Sequence, residues 1–127
     1  NSHKSNQNIQ DEYYNNLIDY FKKYISENRV EVHRKTSDEF FLKNINLYDL
    51  IYIDGNHLFE FVKRDIFNSL KFIKDDGIIV LDDYALKGWW NDGITKAVHF
   101  HEKEQNIRVI KKHNIFEYHH QCIIKKI

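Results

Sequence analysis

The spacing of apolar and polar residues changes period several times along this chain, and each change marks an element. Tyr48-Asp49-Leu50-Ile51-Tyr52-Ile53 is a mostly apolar run of strand length that stops at the turn-forming cluster Asp54-Gly55-Asn56-His57. From there the apolar positions fall at Phe59, Val62, Ile66, Leu70 and Ile73, one face of a helix, with Glu60 a turn before Arg64 on the other face. The pattern predicts that this helix ends at Asp75-Asp76-Gly77, where Gly77 takes the left-handed turn. Ile78-Ile79-Val80-Leu81 then reads as a second strand, buried on both faces, ending at Asp82-Asp83-Tyr84. Two such strands joined through a helix imply a parallel pair with a right-handed crossover.

The flanking segments are plainer. Residues 1–10 are polar and aperiodic and read as a loop or disordered lead-in. Tyr14, Leu17, Ile18, Phe21 and Ile25 form a helical stripe ending near Asn28, with Asp11 and Glu12 placed for the helix dipole. Arg29 to Lys35 alternates, with Val30 and Val32 on one face, and suits a half-exposed edge strand. Thr36 or Ser37 caps a short helix through Phe40, Phe41 and Leu42. Beyond the second strand, Tyr84 to Gly93 mixes Trp89 and Trp90 with flexible residues. Asp92 then caps a helix whose stripe is Ile94, Ala97, Val98 and His101. Ile107–Lys111 and Tyr118–Lys126 read as a closing antiparallel hairpin turning near His113-Asn114. The fold class is α/β, a mostly parallel sheet with a closing hairpin, in a single domain over 1–127.

The predicted topology brings Asp54, Asp82 and Asp83 to the carboxyl end of one sheet, where ligands of open α/β folds bind. Clustered carboxylates repel unless protonated or neutralised, and a hard divalent cation such as Mg²⁺ neutralises them through oxygen ligands. From the residues alone a second role stays open, since Asp also caps loops and helices. His99 and His101 do not share a helical face, and His119 and His120 point to opposite faces of a strand, so neither pair suits a metal. Two adjacent tryptophans at the functional edge suit an acceptor's sugar or aromatic ring, or anchor the loop.

Composition narrows the classes further. The 127 residues are 42% hydrophobic and 15% aromatic, enough for one core. Lys plus Arg equals Asp plus Glu at 19 each, so no overall field favours nucleic acid or an anionic membrane. The single Cys122 excludes an intrachain disulfide, is compatible with a reducing cytoplasm and reads as an inert core residue. No run is long enough to cross a bilayer, and no signal peptide is visible.

Three stretches together, Asp49 to His57, Val62-Lys63-Arg64-Asp65 and Asp76 to Tyr84, resemble the second half of a class I S-adenosylmethionine-dependent methyltransferase. The likeness runs from about Asp11 to Phe100 and is greatest to the metal-dependent O-methyltransferases, including sugar, natural-product and catechol O-methyltransferases. It implies a Rossmann-like methyltransferase sheet, S-adenosylmethionine and Mg²⁺ as cofactors, and a small-molecule hydroxyl as acceptor, with a homodimer possible. It further implies Asp54, Asp82 and Asp83 as metal ligands, His57 as the group that removes the acceptor proton, and Ser37 and Asp38 beside the adenine. Some sugar-modifying relatives carry an acid where this chain has Asn56, which cannot serve as a base.

The same resemblance implies two strands and a glycine-rich turn ahead of the Val30 segment. The four glycines, Gly55, Gly77, Gly88 and Gly93, all lie in later turns. A sheet lacking those strands leaves two facing edges unpaired, so either the Val30 strand pairs elsewhere or, the favoured expectation, the chain is part of a longer protein. As a whole polypeptide it is expected to bind the cofactor weakly or not at all. Two other functions fit the same residues: a metal-dependent hydrolase built on the three aspartates, and a non-catalytic interaction module that keeps the fold without the cofactor half.

Overall fold

The computed structural model describes residues 6–85, 89–116 and 119–127, which form two compact units, 1–36 and 37–127. The first five residues, Leu86 to Gly88 of the tryptophan segment and Tyr118 of the last strand lie outside the described residues.

In the first unit, helix α1 spans Asn6–Ser26. It starts before the expected Asp11, so Asn6 to Gln10 are helical rather than a lead-in loop, and the first turn carries no acid. The polar start holds because Gln7 Nε2 donates to Asp11 Oδ1 (3.1 Å) one turn on. Tyr14, Ile18, Phe21 and Ile25 are half-buried, the inner edge of the predicted stripe, while Leu17 is exposed. Asn28 adopts a left-handed φ of 55°, and the amides of Arg29 and Val30 both return to the Tyr24 carbonyl, at 2.9 and 3.3 Å. Asn28 thus does the work a glycine often does past a helix end. Arg34 is bonded to Asp11, and its guanidinium lies 5.3 Å from the Tyr14 ring centroid. The Arg34 bond holds the Asp11 carboxyl below the ordinary carboxylate range.

The expected edge strand over Arg29 to Lys35 does not form. Val30 and Val32 keep the alternation and are half-buried, but no described strand offers these residues a hydrogen-bonding ladder. Alternation alone does not make a strand.

The second unit carries helix α2 (Ser37–Lys43), strand β1 (Tyr48–Ile53), helix α3 (Phe59–Phe72), strand β2 (Ile73–Leu81), helix α4 (Gly93–Lys103), strand β3 (Ile107–Phe116) and strand β4 (His119–Lys126). The sheet order is β1-β2-β4-β3, with β1 parallel to β2 and the other pairs antiparallel. The strand-helix-strand unit and the closing hairpin therefore match the sequence pattern.

Three boundaries differ from it. Helix α3 stops at Phe72, and Ile73 to Gly77 already belong to β2. Tyr48 pairs with Ile73 but Leu50 with Ile78, so Lys74 to Gly77 form an irregular excursion opposite Asp49. Lys74 Nζ reaches Asp49 Oδ1 at 2.8 Å across it. Gly77 is a strand residue packed against the side chain of Ile73, with no left-handed turn. His113 and Asn114, the expected turn, are strand residues that pair with Gln121 and His120. Finally, β1 is the edge of this sheet, with Leu50 and Tyr52 exposed, whereas Ile79, Val80 and Leu81 of β2 are buried as expected.

The core joins Val62 and Ile66 of α3, Ile79 and Leu81 of β2, Ile94, Ala97 and Val98 of α4, and Cys122 and Ile124 of β4. His101 completes the α4 stripe. It is buried and bonded through Nε2 to the Lys63 carbonyl (2.9 Å), with Asn106 at its other nitrogen (3.3 Å). It is a satisfied structural histidine, as its spacing suggested. Burial pushes the Cys122 thiol up to about 11, consistent with an inert core residue. No described helix is long and apolar enough to cross a membrane.

Candidate active site

The parallel register sets the site. Ile53 pairs with Leu81, and the Asp82 amide donates to the Ile53 carbonyl at 3.0 Å, extending the ladder one residue past the strands. Both chains then leave the sheet at the same end, delivering Asp54 from β1 and Asp82-Asp83 from β2. After Asp54, the Asn56 side chain accepts the Leu58 amide (3.0 Å), an Asx turn that folds the loop back before α3. This turn brings His57 inward.

Asp54, His57 and Asp83 each offer a ligand atom, and these atoms lie within 4.8 Å of one another. His57 Nε2 is 2.9 Å from Asp83 Oδ2 and 3.8 Å from Asp54 Oδ1. Yet Nε2 is fully covered and has no hydrogen-bond partner, so Asp83 sits close but out of line with the ring nitrogen. The two groups are thus in close contact without a directed hydrogen bond. The His57 ring stacks on Trp90, centroids 5.3 Å apart and planes 12° from parallel. Trp90, Asn91 and Asp92 are consecutive left-handed residues, each an unfavourable backbone state for a residue with a Cβ. Asp92 precedes α4 but makes no side-chain cap bond, because its left-handed backbone is not the extended geometry a capping residue needs. The backbone of Trp89 is part of this turn, and its side chain lies outside the described residues.

Asp82 lines the cleft at this end of the sheet, but its carboxylate is bonded outside the group of three. Its Oδ2 accepts the Tyr52 hydroxyl and its Oδ1 accepts the Asp83 amide at 3.0 Å. Gln121 Nε2 donates to the Tyr52 oxygen at 2.9 Å. The carboxylate raises the Tyr52 phenol to about 12, since the ionised phenol would lose that bond. Of the three aspartates read from the sequence, the structure therefore brings Asp54 and Asp83 together with His57, and turns Asp82 to Tyr52.

Ser37 and Asp38 are tied to α3. The Ser37 hydroxyl donates to Asp65 Oδ1 (2.6 Å), while Asp38 pairs with Arg64 Nε (2.9 Å) and accepts Asn68 Nδ2 (3.2 Å). Arg64 thus serves Asp38, and Glu60 pairs with Lys63 instead (2.7 Å). A groove of about 680 Å³ opens here, lined by Asp38, Phe41, Arg64 and Phe72 among others. The cleft at the strand ends, lined by Asp54, His57, Asp82 and Ile94, holds only about 10 Å³, room for about one water-sized particle. The smaller space is the chemical one, because among the described residues carboxylates and an imidazole converge there.

Tyr52 and Gln121 went unnoticed in the sequence. Tyr52 lies two residues before Asp54, hence on the same side of β1, which is a usable signal. Gln121 has none, because its position depends on the register of β4.

A protein-family profile described as "Methyltransferase domain" matches residues 3–84. The chain belongs to this methyltransferase domain family. Membership implies S-adenosylmethionine as methyl donor. Solved structures agree on the fold. A protein designated an rRNA-methylase from Clostridium thermocellum aligns with a TM-score of 0.60 at 14% identity, over 84% of this chain and 67% of that one. One designated an O-methyltransferase from Klebsiella pneumoniae aligns with a TM-score of 0.62 at 10% identity, over 84% and 53%. Precorrin-6y C5,15-methyltransferase from Geobacter metallireducens aligns with a TM-score of 0.57 at 22% identity, over 89% and 60%. This methyltransferase domain thus spans between about half and two thirds of their lengths and shares their Rossmann-like sheet. No curated protein matches the chain.

Proposed function

We propose that the domain transfers the methyl group of S-adenosylmethionine to a hydroxyl oxygen of a small molecule, a sugar first and a catechol-like ring second, with a divalent cation such as Mg²⁺ at the acidic strand ends. The observation that carries this reading is the convergence of Asp54, His57 and Asp83 at the carboxyl end of the parallel pair. The arrangement suits a cation: two carboxylates within ligand reach of each other beside a cleft of single-ion size, with the His57 nitrogen left to act as a base. Held by Asp54 and Asp83, such a cation would supply Lewis acidity that lowers the acceptor hydroxyl's pKa.

The chain's own residues divide the remaining work. Asp54 and Asp83 supply negative charge and oxygen ligands. His57 Nε2 takes the acceptor proton, and the protonated ring then pairs with Asp83 at its side. Trp90 covers one face of the imidazole and presents an aromatic wall on which a sugar or ring stacks. The fit to the adenosyl group is poorer. The Ser37 hydroxyl and Asp38 carboxylate are both bonded to α3, so no step is assigned to either. That engagement favours the non-catalytic module as the second reading.

The test is transfer of a radiolabelled methyl group from S-adenosylmethionine to catechol and sugar acceptors, with Mg²⁺ or with chelator. Cation-dependent transfer that disappears in Asp54→Asn and Asp83→Asn supports the enzyme. Transfer unaffected by chelator refutes the cation role, and hydrolysis of phosphate esters without the methyl donor would point to the metal-dependent hydrolase.

A further inference from the structure

Asp82 and Asp83 are neighbours in sequence with the same side chain, yet they sit in different surroundings. Asp83 lies against His57 and within ligand reach of Asp54, whereas Asp82 is outside that group of ligand atoms. Both Asp82 oxygens accept hydrogen bonds, one from Tyr52, itself held by Gln121, and one from the amide of the next residue. That next residue is in the left-handed region, with φ 50°. A residue with a Cβ rarely adopts this backbone unless a local hydrogen bond supports it, and the bond from the Asp83 amide to the Asp82 carboxylate is such a support. The left-handed step interrupts the strand path directly after Asp82 and turns residue 83 toward His57.

We propose that Asp82 is a positioning residue rather than a cation ligand: clamped by Tyr52 and Gln121, it fixes the backbone of residue 83 and so aims the Asp83 carboxylate at Asp54 and His57, whose ligand atoms gather with its own. The inference rests on the reading that this site takes a divalent cation. Tyr52 comes from β1, Asp82 from the end of β2 and Gln121 from β4, so the clamp spans three neighbouring strands. Rotation of Asp82 is blocked from one side by the phenol and from the other by its own neighbour's amide. Asp82 also lines the cleft at the strand ends, and Tyr52 and Gln121 act through it.

The experiment measures Mn²⁺ binding to the full chain by calorimetry, without methyl donor or acceptor. Asp83→Asn removes the charge from a ligand oxygen, and the expected loss is about a hundredfold. Asp82→Ala removes the support, with an expected loss of about tenfold to a hundredfold, the range for groups that orient a metal ligand. Asp82→Asn keeps the oxygen that accepts the Asp83 amide and can still bond Tyr52, so its affinity stays within about tenfold of the parent. Tyr52→Phe removes one side of the clamp from a half-exposed site, weakening Mn²⁺ binding severalfold while the urea midpoint stays unchanged. That last combination separates positioning from loss of fold. The proposal is overturned if Asp82→Asn loses as much affinity as Asp83→Asn, if Tyr52→Phe binds like the parent, or if the parent binds no Mn²⁺. Should the affinity order hold while no methyl transfer is found, the transferase reading fails and the clamp stands.

Discussion

Gly93 opens α4 against the backbone of the loop that carries His57, and that contact makes it the most informative single position for stability. A Cβ built there would lie 2.2 Å from the His57 carbonyl oxygen, 2.7 Å from the Phe59 nitrogen and 3.1 Å from the Leu58 carbonyl carbon. All three are backbone atoms, so no side-chain rotation relieves the overlap. Separating the Cβ from the His57 oxygen to ordinary contact means moving the loop and the helix apart by about 1 Å. Overpacking of this kind costs about 1–3 kcal/mol, and a backbone clash belongs at the upper end. Alanine's better helix propensity returns up to about 1 kcal/mol. Gly93→Ala should therefore lose roughly 2 kcal/mol of stability, a fall in Tm of roughly 7 °C for a chain of this size. It should also weaken Mn²⁺ binding, because the displaced atom belongs to His57.

Two other glycines provide the scale. At Gly77 the new methyl would meet the Ile73 Cδ1 and Cγ1 at 2.8 Å, which a rotamer change relieves in part, and the Asp49 carbonyl at 3.0 Å. Gly77→Ala should cost about 1 kcal/mol or less. At Gly55 only Asp65 Oδ2 is near, at 3.8 Å, so Gly55→Ala should be neutral or stabilising by up to about 1 kcal/mol through the unfolded chain. Urea denaturation of the three variants, with thermal melts in parallel, measures the order. A Gly93→Ala protein within about 0.5 kcal/mol of the parent would refute the close approach of α4 to the His57 loop.

Other measurements address the core and its titrating groups. Ile66→Ala, at a fully buried position of α3, should cost about 2–5 kcal/mol by urea denaturation. Burial raises the Asp65 carboxyl, opposed by the Ser37 bond, with the Asp38 charge adding to the rise. The folded state therefore favours the protonated acid, and this contribution to stability is full below about pH 4 and lost as pH rises through the elevated folded value. Asp65→Asn should accordingly stabilise at pH 7, with the gain disappearing near pH 3.5; a gain that grows on acidification would reverse the sign. The Cys122 thiol, raised from 9.0 to about 11 by burial, contributes stability present below pH 9 and lost as pH rises toward 11. Its labelling by a disulfide reagent at pH 8 should follow the rate of unfolding and rise steeply in urea, and labelling in native buffer as fast as a small free thiol would show the site is open.

What the sequence made legible follows from contrast between neighbouring segments. The strands ending at Asp54 and Asp82 stand out because apolar runs stop abruptly at turn residues, and the α4 stripe shows because Ile94, Ala97, Val98 and His101 keep one face. Lys74-Asp75-Asp76-Gly77 looks like a turn by composition, but Ile73 pairs with Tyr48 and Lys74 bridges to Asp49, so tertiary pairing makes it strand. His113 and Asn114 mislead in the same way, as exposed positions of a long hairpin that pair without needing apolar side chains. The polar first turns of α1 give no periodic signal at all. The different surroundings of Asp82 and Asp83 were invisible too, because they depend on the Tyr52 hydroxyl and on one left-handed residue.

That difference has a geometric origin in the parallel pair. Parallel strands leave a sheet at the same end, so Asp54 and Asp82-Asp83 meet there without any long excursion of chain. Along an extended strand, successive side chains point to opposite faces, and Tyr52 of β1 lies on the face opposite Ile53. Tyr52 pairs with Val80, two residues before Asp82, so Asp82 falls on the Tyr52 face and accepts its hydroxyl. Simple alternation would put the next residue on the other face, and the left-handed backbone of Asp83 carries it from there to His57. Adjacent acids at a strand end thus need not act as a pair. The strand's period of two sets Asp82 beside Tyr52, and the left-handed step at Asp83 brings the second carboxylate to His57.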